Sequence, residues 1–497
     1  MASEKIDASL GSEAVHREDS SSVNAPMYSE QPVDAKAEAK LRLKIDFWVV
    51  PTTTLLYLFC FIDRTNIGNA RLAGFEADLG LAGLDYNAVL SAFYISYILF
   101  EIPANMACKW IGPGRFLPAC TVGFGLMSLC NAYVTDKASA SAVRFLLGAF
   151  EAGLLPGLAY YLSRWYRRSE LVFRISLYIV SAPLAGAFGG LLASAILRLP
   201  PVAGIHSWRL IFFIEGLATI GVGIIAFFTL TDRPATAKWL SEEEKALAIH
   251  RIQSEIVGHS EVLDKIDKPK IMRGIFNPVT LATSMIFLLD NITVQGLSIF
   301  APTIIRTIYP LESVITQQLY TAPLYVAGAF MTLIISFASW KTNRRLIFML
   351  ISAPLMVTGY IIFLATTDPK ARYAATFIIA AGAFPFGALA NAQVAANVVS
   401  DTARSSAIAT NVMMGNIGGL VSTWSFIKSD APNYPIGNGL NLASSSGIII
   451  IAACLLLWMG RDNRKRAQVD TDTHLATLSQ QEIQSLDWKH PDFRWRP

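Results

Sequence analysis

A series of long apolar stretches constrains this chain most, because each is about the length that a helix needs to cross a bilayer. Twelve stretches can be distinguished, arranged as six and six around a polar segment at 232–274. In hydrocarbon only a helix or a closed barrel satisfies its own backbone hydrogen bonds, and stretches this long without polar–apolar alternation are helices. The sequence therefore predicts an all-α membrane protein with twelve transmembrane helices in two pseudo-symmetric six-helix bundles.

The predicted organisation has five parts, with span boundaries accurate to a few residues. The spans are 46–69, 86–109, 115–134, 139–162, 171–197, 208–230, 277–305, 317–339, 346–366, 373–398, 405–427 and 440–460. The parts are an N-terminal tail (1–44), a first bundle (45–231), a linker (232–274), a second bundle (275–461) and a C-terminal tail (462–497). The N-terminal tail is polar and predicted to be disordered. Ser241 and Glu244 predict a helix start in the linker, and we expect that helix to be solvated.

Basic residues predict the orientation in the membrane, because lysine and arginine are enriched in cytosolic flanks. They cluster in the N-terminal tail, after spans 2, 4 and 8, and after span 12. These flanks share one side, although the opposite loops also carry some bases, such as Arg71, Arg198 and Arg306. We expect both termini to be cytosolic and the membrane to be the plasma membrane.

Composition and missing motifs narrow the class of protein. Hydrophobic residues make up 53% of the chain and charged residues 16%, and the net charge of +4 lies mostly in loops and tails. A nucleic-acid partner is not expected from so small a charge. The sequence has no phosphate-binding loop, no metal-ligand spacing and no nucleophile–base set, so we expect neither an enzyme nor a cofactor. Two six-helix sets without an ATP-driven engine favour a transporter driven by an ion gradient.

Ionisable residues within the spans are the candidate functional groups, because charges in a bilayer are costly. In span 1, Asp63, Asn66 and Asn69 recur at helical spacing, which predicts a polar stripe that lines a cavity or, alternatively, packs on another helix. In span 4, Arg144 and Glu151 lie two turns apart on one face, either as an anion ligand with a proton carrier or as a structural ion pair.

In the second bundle, the central part of span 7 supplies the candidates. Asp290 is followed by Asn291 and Gln295, and we expect this group to face a cavity from the second half. Internal duplication is also indicated, because the fourth spans of the two halves carry similar segments, Gly148-Ala-Phe-Glu-Ala-Gly153 and Gly382-Ala-Phe-Pro-Phe-Gly387. The fifth spans carry glycine pairs that permit close helix packing, either static or at an interface that slides.

Several motifs resemble the major facilitator superfamily, and within it the fungal anion:cation symporters of the allantoate and nicotinate permease branch. The resemblance covers nearly all of the chain after about Asp46. The matching segments are YLFCFIDRTNIGNA (57–70), SYILFEIPAN (96–105), RFLLGAFEAGLLPG (144–157), FAPTII (300–305), GNIGG (415–419) and DAPNY (430–434). There are two departures. The stretch Gln393 to Arg404 lacks the branch's tryptophan before paired asparagines, and 339–345 lacks the superfamily's acidic residue, which is expected to loosen the inner gate.

The resemblance implies a proton-coupled symporter, functional as a monomer, that carries a small organic anion by alternating access. Arg144, and also Arg64, are expected to bind the anion's carboxylate, with Asn66, Gln295 and Asn397 as further substrate contacts. Glu151, Asp63 or Asp290 is expected to carry the proton. Two alternatives remain open, an exporter of a secondary metabolite by proton antiport, and a solute-sensing transceptor without net transport.

Overall fold

The computed structural model describes residues 35–200, 205, 207–253, 268–468 and 486–497, so most of the predicted disordered tail lies outside the described residues. Those residues form eighteen α-helices. They are α1 (Ala35–Leu72), α2 (Phe75–Asp78), α3 (Asp85–Ile111), α4 (Pro113–Asn131), α5 (Lys137–Glu151), α6 (Leu154–Ser163), α7 (Arg168–Ile179), α8 (Ser181–Ile196), α9 (Trp208–Thr229), α10 (Glu242–Gln253), α11 (Lys268–Ile275), α12 (Pro278–Ile308), α13 (Val314–Thr342), α14 (Arg345–Ala365), α15 (Pro369–Ala383), α16 (Phe386–Ala396), α17 (Asp401–Thr423) and α18 (Pro435–Arg466).

The helices confirm the predicted all-α membrane architecture. In the described part of the chain, ten helical stretches are long and apolar enough to cross a bilayer. The two remaining predicted spans correspond to α4 and α17, with 19 and 23 residues. At 1.5 Å per residue these helices extend about 28 and 34 Å, close to the thickness of the hydrocarbon core. Helix α17 contains many serine, threonine and asparagine residues, and it packs chiefly on α12 rather than facing lipid.

Two of the predicted spans are interrupted at equivalent places in the two halves. The fourth span breaks after Glu151, where α5 gives way to α6 at Leu154. The tenth span breaks after Ala383, where α15 gives way to α16 at Phe386. Both breaks fall within the two similar glycine-containing segments of the sequence. The duplication is therefore visible as a shared local irregularity, and non-helical backbone inside a membrane is tolerated where it lines a cavity.

Glycine allows the close approach of α4 and α9, the most extensive helix pair of the first half. A Cβ atom on Gly216 of α9 would lie 2.6 Å from the backbone nitrogen of Leu129 in α4, closer than any side chain tolerates. By contrast, a Cβ atom on Gly221, further along α9, would meet nothing within 4 Å. Small residues let backbones approach in this way where lipid supplies no hydrophobic driving force.

The linker helix α10 begins as predicted, with one face exposed and the other, which carries Arg251, buried against the first half. Ser241 Oγ accepts a hydrogen bond from Glu244 N at 3.2 Å, and the Glu244 carboxylate accepts one from Ser241 N at 2.9 Å. The Lys44 ammonium at 2.6 Å, together with that backbone N–H, holds the pKa of Glu244 below its usual range. Near the end of α10, Arg251 is buried and binds Glu170 and Glu38 at 2.7 and 3.0 Å. Ion pairs therefore fix the linker to the first half.

Candidate substrate cavity

The described residues enclose a cavity between the two halves. The first half contributes α1, α3, α6, α7 and α8, and the second half contributes α12, α16, α17 and the break before α16. Its lining residues are Tyr57, Phe61, Arg64, Tyr97, Leu155, Ile179, Ala182, Phe287, Asp290, Asn291, Val294, Gln295, Phe384, Gly387, Val412, Gly415 and Asn416. Most of them are apolar or aromatic, with a few polar groups among them, which is the usual composition of a small-molecule site.

The cavity is small in this conformation. The empty space between its lining atoms is about 480 Å³, but the centre of a water molecule can move through only about 40 Å³ of it. A single water needs roughly 10–15 Å³ on that measure, so the cavity has room for a few waters. The site is therefore contracted, and a solute of several heavy atoms would require the surrounding helices to separate slightly.

The two halves contact each other on the side away from the linker. Trp424 Nε1 donates to Ser91 Oγ at 3.0 Å, and Asn87 donates to the carbonyl of Thr423. Tyr94 donates its hydroxyl hydrogen to Gln295 Oε1 at 3.1 Å. These contacts join α3 to α17 and α12 and cover the cavity from that side.

Contacts also join the halves on the linker side. Asn105 Nδ2 donates to both the carbonyl and the hydroxyl oxygen of Ser405 at 2.9 Å. The rings of Phe173 and Trp340 stack with centroids 5.6 Å apart, joining α7 to α13. With contacts on both sides, the structure shows the cavity in an occluded conformation.

The glycine pairs of the fifth spans lie at this boundary between the halves. The ring of Tyr325 in α13 fills the space that a Cβ of Gly186 in α8 would occupy, 2.7 Å away. Gly419 in α17 accommodates Tyr94 of α3 in the same manner. Both glycines therefore allow close contacts between opposite halves, and a sliding interface at this boundary stays a prediction.

Arg64 and Glu151 form a buried ion pair at the cavity wall. Arg64 Nη2 lies 2.8 Å and Nε 3.3 Å from Glu151 Oε2, and the two side chains are 6% and 0% exposed. The rings of Phe61, Phe93 and Tyr97 surround the guanidinium at 4.9–5.1 Å from its central carbon. Aromatic faces attract a cation, and the attraction is stronger where water is excluded. Glu151 Oε1 has no hydrogen-bond partner within the described residues.

In this conformation Asp63 and Asn66 of the polar stripe pack on other helices, the second of the two placements expected from the sequence, and neither lines the cavity. Asp63 accepts hydrogen bonds from Ser128 Oγ at 2.7 Å and Thr219 Oγ1 at 3.0 Å, in α4 and α9. Asn66, one turn further, donates to Glu215 of α9. Successive helical residues point about 100° apart. Asp63 therefore faces the interior of the first half while Arg64 faces the cavity.

Arg144 is not paired with Glu151 as one interpretation of the sequence predicted. Seven residues along a helix span about 10.5 Å, which separates the two side chains of α5. Arg64 from α1 forms the ion pair with the Glu151 carboxylate instead. Arg144 is 2% exposed, lies over the ring of Phe212 at 5.6 Å, and does not line the cavity. Its Nε and Nη2 atoms have no hydrogen-bond partner among the described residues. An anion-binding role at this position requires a rearrangement.

The candidates of the second half are divided between two places. Asp290 and Gln295 line the cavity, as predicted. Asp290 is 0% exposed, and neither carboxyl oxygen has a partner in the described structure. Asn397 lies at the linker-side end of α16, outside the cavity lining. Its Nδ2 donates to the carbonyls of Gln393 and Arg496, and its Oδ1 accepts from Arg496 N, so the expected substrate contact is replaced by a contact with the C-terminal segment.

Sequence reasoning missed the aromatic and amide contributions to the cavity. Tyr97 and Tyr94 of α3 lie three residues apart on one face, and Asn416 of α17 lies among the lining residues. Amides and tyrosines in apolar spans are the signal that could have indicated them, because a buried polar group needs a partner or a cavity.

A contracted, amphipathic cavity between two pseudo-symmetric six-helix halves is the arrangement typical of transporters that work by alternating access. Comparison with known proteins agrees. Residues 53–423 match the family described as Major Facilitator Superfamily. The chain belongs to the Major Facilitator Superfamily, and it is a transporter rather than an enzyme.

The curated relatives are fungal proteins of similar length. An uncharacterized transporter of Schizosaccharomyces pombe is 30% identical over 89% of this chain and 90% of its own length. The MFS transporter prlL of a fungal species (strain NRRL 50135) is 32% identical over 90% of this chain and 91% of its own. The MFS-type transporter efuF of Hormonema carpetanum is 31% identical over 86% and 87%.

Two solved structures share the fold. The proton:xylose symporter XylE, bound to 6-bromo-6-deoxy-D-glucose, has a TM-score of 0.68 and 15% identity over 84% of this chain and 96% of its own. A bacterial homolog of the human lysosomal transporter Spinster, inward-facing and unoccupied, has a TM-score of 0.60 and 17% identity over 82% and 95%. At these identities the likeness concerns the fold alone.

Proposed function

We propose that this transporter is a proton-coupled symporter of a small organic anion. One observation carries the proposal, the buried ion pair in which Arg64, a lining residue of the cavity, binds Glu151, which is not itself among the lining residues. Arg64 is the cation among the lining residues of the cavity, and its guanidinium can bind a carboxylate through two parallel hydrogen bonds. In the occluded structure, however, Glu151 already occupies two of its N–H groups.

The substrate and the proton are coupled through this competition. While Glu151 is ionised it holds Arg64, and a second carboxylate would bring two negative charges together in a site of low dielectric. Protonation of Glu151 removes its charge and frees Arg64 for the anion. The anion in turn favours protonated Glu151, because binding linkage is reciprocal. Proton and anion therefore bind together and cross together.

The rest of the cavity indicates the shape of the solute. Aromatic rings from both halves, among them Tyr57, Phe61 and Phe384, enclose the space next to Arg64. Amides of Asn291, Gln295 and Asn416 are on the C-terminal wall. A compact carboxylate with a flat or apolar body and one or two polar groups fits this lining.

Asp290 serves the substrate rather than the proton in this proposal. Its buried carboxyl group has no hydrogen-bond partner among the described residues, so a hydrogen-bond group of the solute would satisfy it when the solute binds. Asp63 is less suited to carry the proton, because two hydroxyl groups already stabilise its carboxylate away from the cavity. The orientation with both ends cytosolic, the plasma membrane and the monomeric state remain part of the proposal.

Uptake into liposomes tests the function. The purified protein is reconstituted and offered a panel of labelled small carboxylates, with an imposed pH gradient or with the gradient collapsed by an ionophore. We expect at least one carboxylate to accumulate on the alkaline side, and Arg64→Gln to abolish that uptake. Arg144→Gln is the matched comparison, since this arginine is equally buried but lies outside the cavity. If Arg144→Gln loses uptake while Arg64→Gln takes up the carboxylate normally, the anion-binding residue is Arg144 and not Arg64.

The direction of flux separates symport from the alternative, a proton antiporter that exports a metabolite. Symport predicts that the anion and the proton enter the same compartment. Accumulation of the anion on the acidic side would instead establish antiport. Binding of an anion without any flux would support the transceptor.

A further inference from the structure

A second, unexplained cation lies on the linker side of the second half, far from the Arg64 pair. Arg345, the first residue of α14, is 2% exposed. Its Nη2 donates to Asn343 Oδ1 at 3.1 Å, whereas Nε and Nη1 have no hydrogen-bond partner among the described residues. A buried charge without compensation costs on the order of several kcal/mol. A buried guanidinium with two unbonded nitrogen atoms therefore implies that an anion binds there.

The charged side chains described around Arg345 are cations, and no acidic side chain among the described residues pairs with it. Lys341 lies in the last turn of α13, Arg344 directly precedes α14, and both are exposed. The positive charge of Arg496, in the C-terminal segment, lies close enough to repel that of Arg345. None of these four cations makes an ion pair with a described residue. We call Lys341, Arg344, Arg345 and Arg496 the basic cluster.

The C-terminal segment 486–497 holds Arg496 in place. Trp495 is buried, and its Nε1 donates to Asp462 Oδ2 of α18 at 2.6 Å. Arg345 N donates to the carbonyl of Pro497 at 3.1 Å, and Arg496 N to Asn397 Oδ1 at 2.9 Å. The backbone around Arg496 is therefore fixed over α14 and α16. Its side chain is exposed, and exposed side chains change rotamer within nanoseconds. An anion can thus reach Arg345 when the Arg496 side chain moves aside.

We propose that the basic cluster is a binding site for a phosphate group, held between Arg345 and Arg496. Four cations that find no acidic side chain within the described part of the chain suit a group with more than one negative charge, and guanidinium forks match the oxygens of phosphate. Arg345 begins a predicted span, so the site lies at the level where lipid headgroups are found. The phosphate can belong to an anionic lipid headgroup or to a soluble compound.

A substitution at Asn343 can test whether Arg345 needs a negative partner. It is in a left-handed conformation at φ 53°, which asparagine and aspartate both tolerate, and its side chain already contacts Arg345. Asn343→Asp supplies the missing negative charge from within the chain. This substitution should raise the unfolding temperature of the ligand-free protein and remove its response to phosphate.

The experiment measures the unfolding temperature of the purified full chain by tryptophan fluorescence. Pyrophosphate is titrated in detergent at constant ionic strength set with KCl, and separate samples are prepared in nanodiscs of phosphatidylcholine with or without phosphatidic acid. We expect a saturable rise with at least one probe. Arg345→Gln should raise the half-saturating concentration about ten- to hundredfold, the value of a lost charge-assisted contact. Lys370 is an exposed cation near the start of α15, outside the basic cluster, so Lys370→Gln should respond as the wild type does.

The outcomes distinguish the two sources of the phosphate group, and some of them would overturn the proposal. A response to pyrophosphate alone identifies a soluble ligand, and one to phosphatidic acid alone identifies a lipid; both together support the shared chemistry. No response to either probe overturns the proposal, as does a response that persists unchanged in Asn343→Asp. If Arg345→Gln does not fold, the comparison of Asn343→Asp with Lys370→Gln decides.

Discussion

Replacing Glu151 by glutamine tests the coupling between proton and anion. Glutamine keeps the size of the side chain and its capacity to accept hydrogen bonds from Arg64, but it carries no negative charge and cannot take up a proton. In the wild type, Glu151 Oε2 accepts Arg64 Nη2 at 2.8 Å and Nε at 3.3 Å. The guanidinium stays charged in the variant, so its hydrogen bond to the glutamine oxygen is kept. What is lost is the attraction between two opposite charges, which at about 4 Å is worth roughly 1 kcal/mol in bulk water and roughly 4 kcal/mol at an effective dielectric constant of about 20.

The difference predicts the size of the effect. Arg64 is held less tightly in Glu151→Gln by roughly 1–4 kcal/mol, so at a pH where Glu151 is ionised the anion should bind the variant at least about fivefold more tightly than the wild type. Binding should also lose its dependence on pH, because the competing carboxylate is gone. Accumulation driven by a proton gradient should fail, while exchange of labelled for unlabelled anion, which needs no net proton movement, should continue.

The assay measures accumulation and exchange on the same reconstituted variant, with Asp63→Asn as the matched control. Asp63 is equally buried, but it is bound to Ser128 and Thr219 rather than to Arg64, so its variant should still accumulate the anion. Accumulation that still follows the proton gradient in Glu151→Gln would refute the reasoning and move the proton site to Asp63 or Asp290. Loss of folding together with both activities would indicate that the ion pair is structural.

Three further variants test separate parts of the structure. Arg64→Lys keeps the charge but replaces a two-point fork by one ammonium group, so the KM of uptake should rise about ten- to hundredfold; near-normal uptake would exclude a bidentate contact. Asp290→Asn should retain coupling to the proton gradient and change the preference among carboxylates in competition assays; loss of coupling alone would make Asp290 the proton carrier. Gly216→Val should lower the free energy of unfolding by about 1–3 kcal/mol, because the new side chain overlaps the α4 backbone, and the change is measured as a lower unfolding temperature. Gly221→Val on the same helix should leave that temperature unchanged. Equal effects of the two substitutions would contradict the close approach of α4 and α9.

The spans could be predicted from the sequence because hydropathy acts locally. Long apolar stretches identify helices whatever their neighbours are, and the two similar segments around Glu151 and Pro385 indicated the duplication, although the helix breaks within them were not predicted. The capping interaction of Ser241 and Glu244 is likewise encoded within four residues. The docking of α10 could not be predicted this way, because Arg251 finds Glu38 and Glu170 in distant parts of the chain.

The site was predicted only in part, because the direction of a side chain depends on the rotation of its helix. Asp63 and Arg64 are adjacent in sequence, yet they face different surroundings. The partner of Glu151 comes from another helix, so the spacing within span 4 suggested Arg144 wrongly. Asn397 lay in a segment that departs from the resembled family, and its side chain is taken up by the C-terminal segment.

Proton uptake on anion binding tests the central claim most directly. The purified protein is placed in weakly buffered solution with a pH indicator, and a transported carboxylate is added. Competition between the anion and Glu151 for Arg64 predicts that close to one proton enters the protein for each anion bound, at a pH where Glu151 is ionised. The Glu151→Gln variant should bind the anion without taking up a proton. Anion binding that takes up no proton in the wild type, or that releases one, would contradict the account.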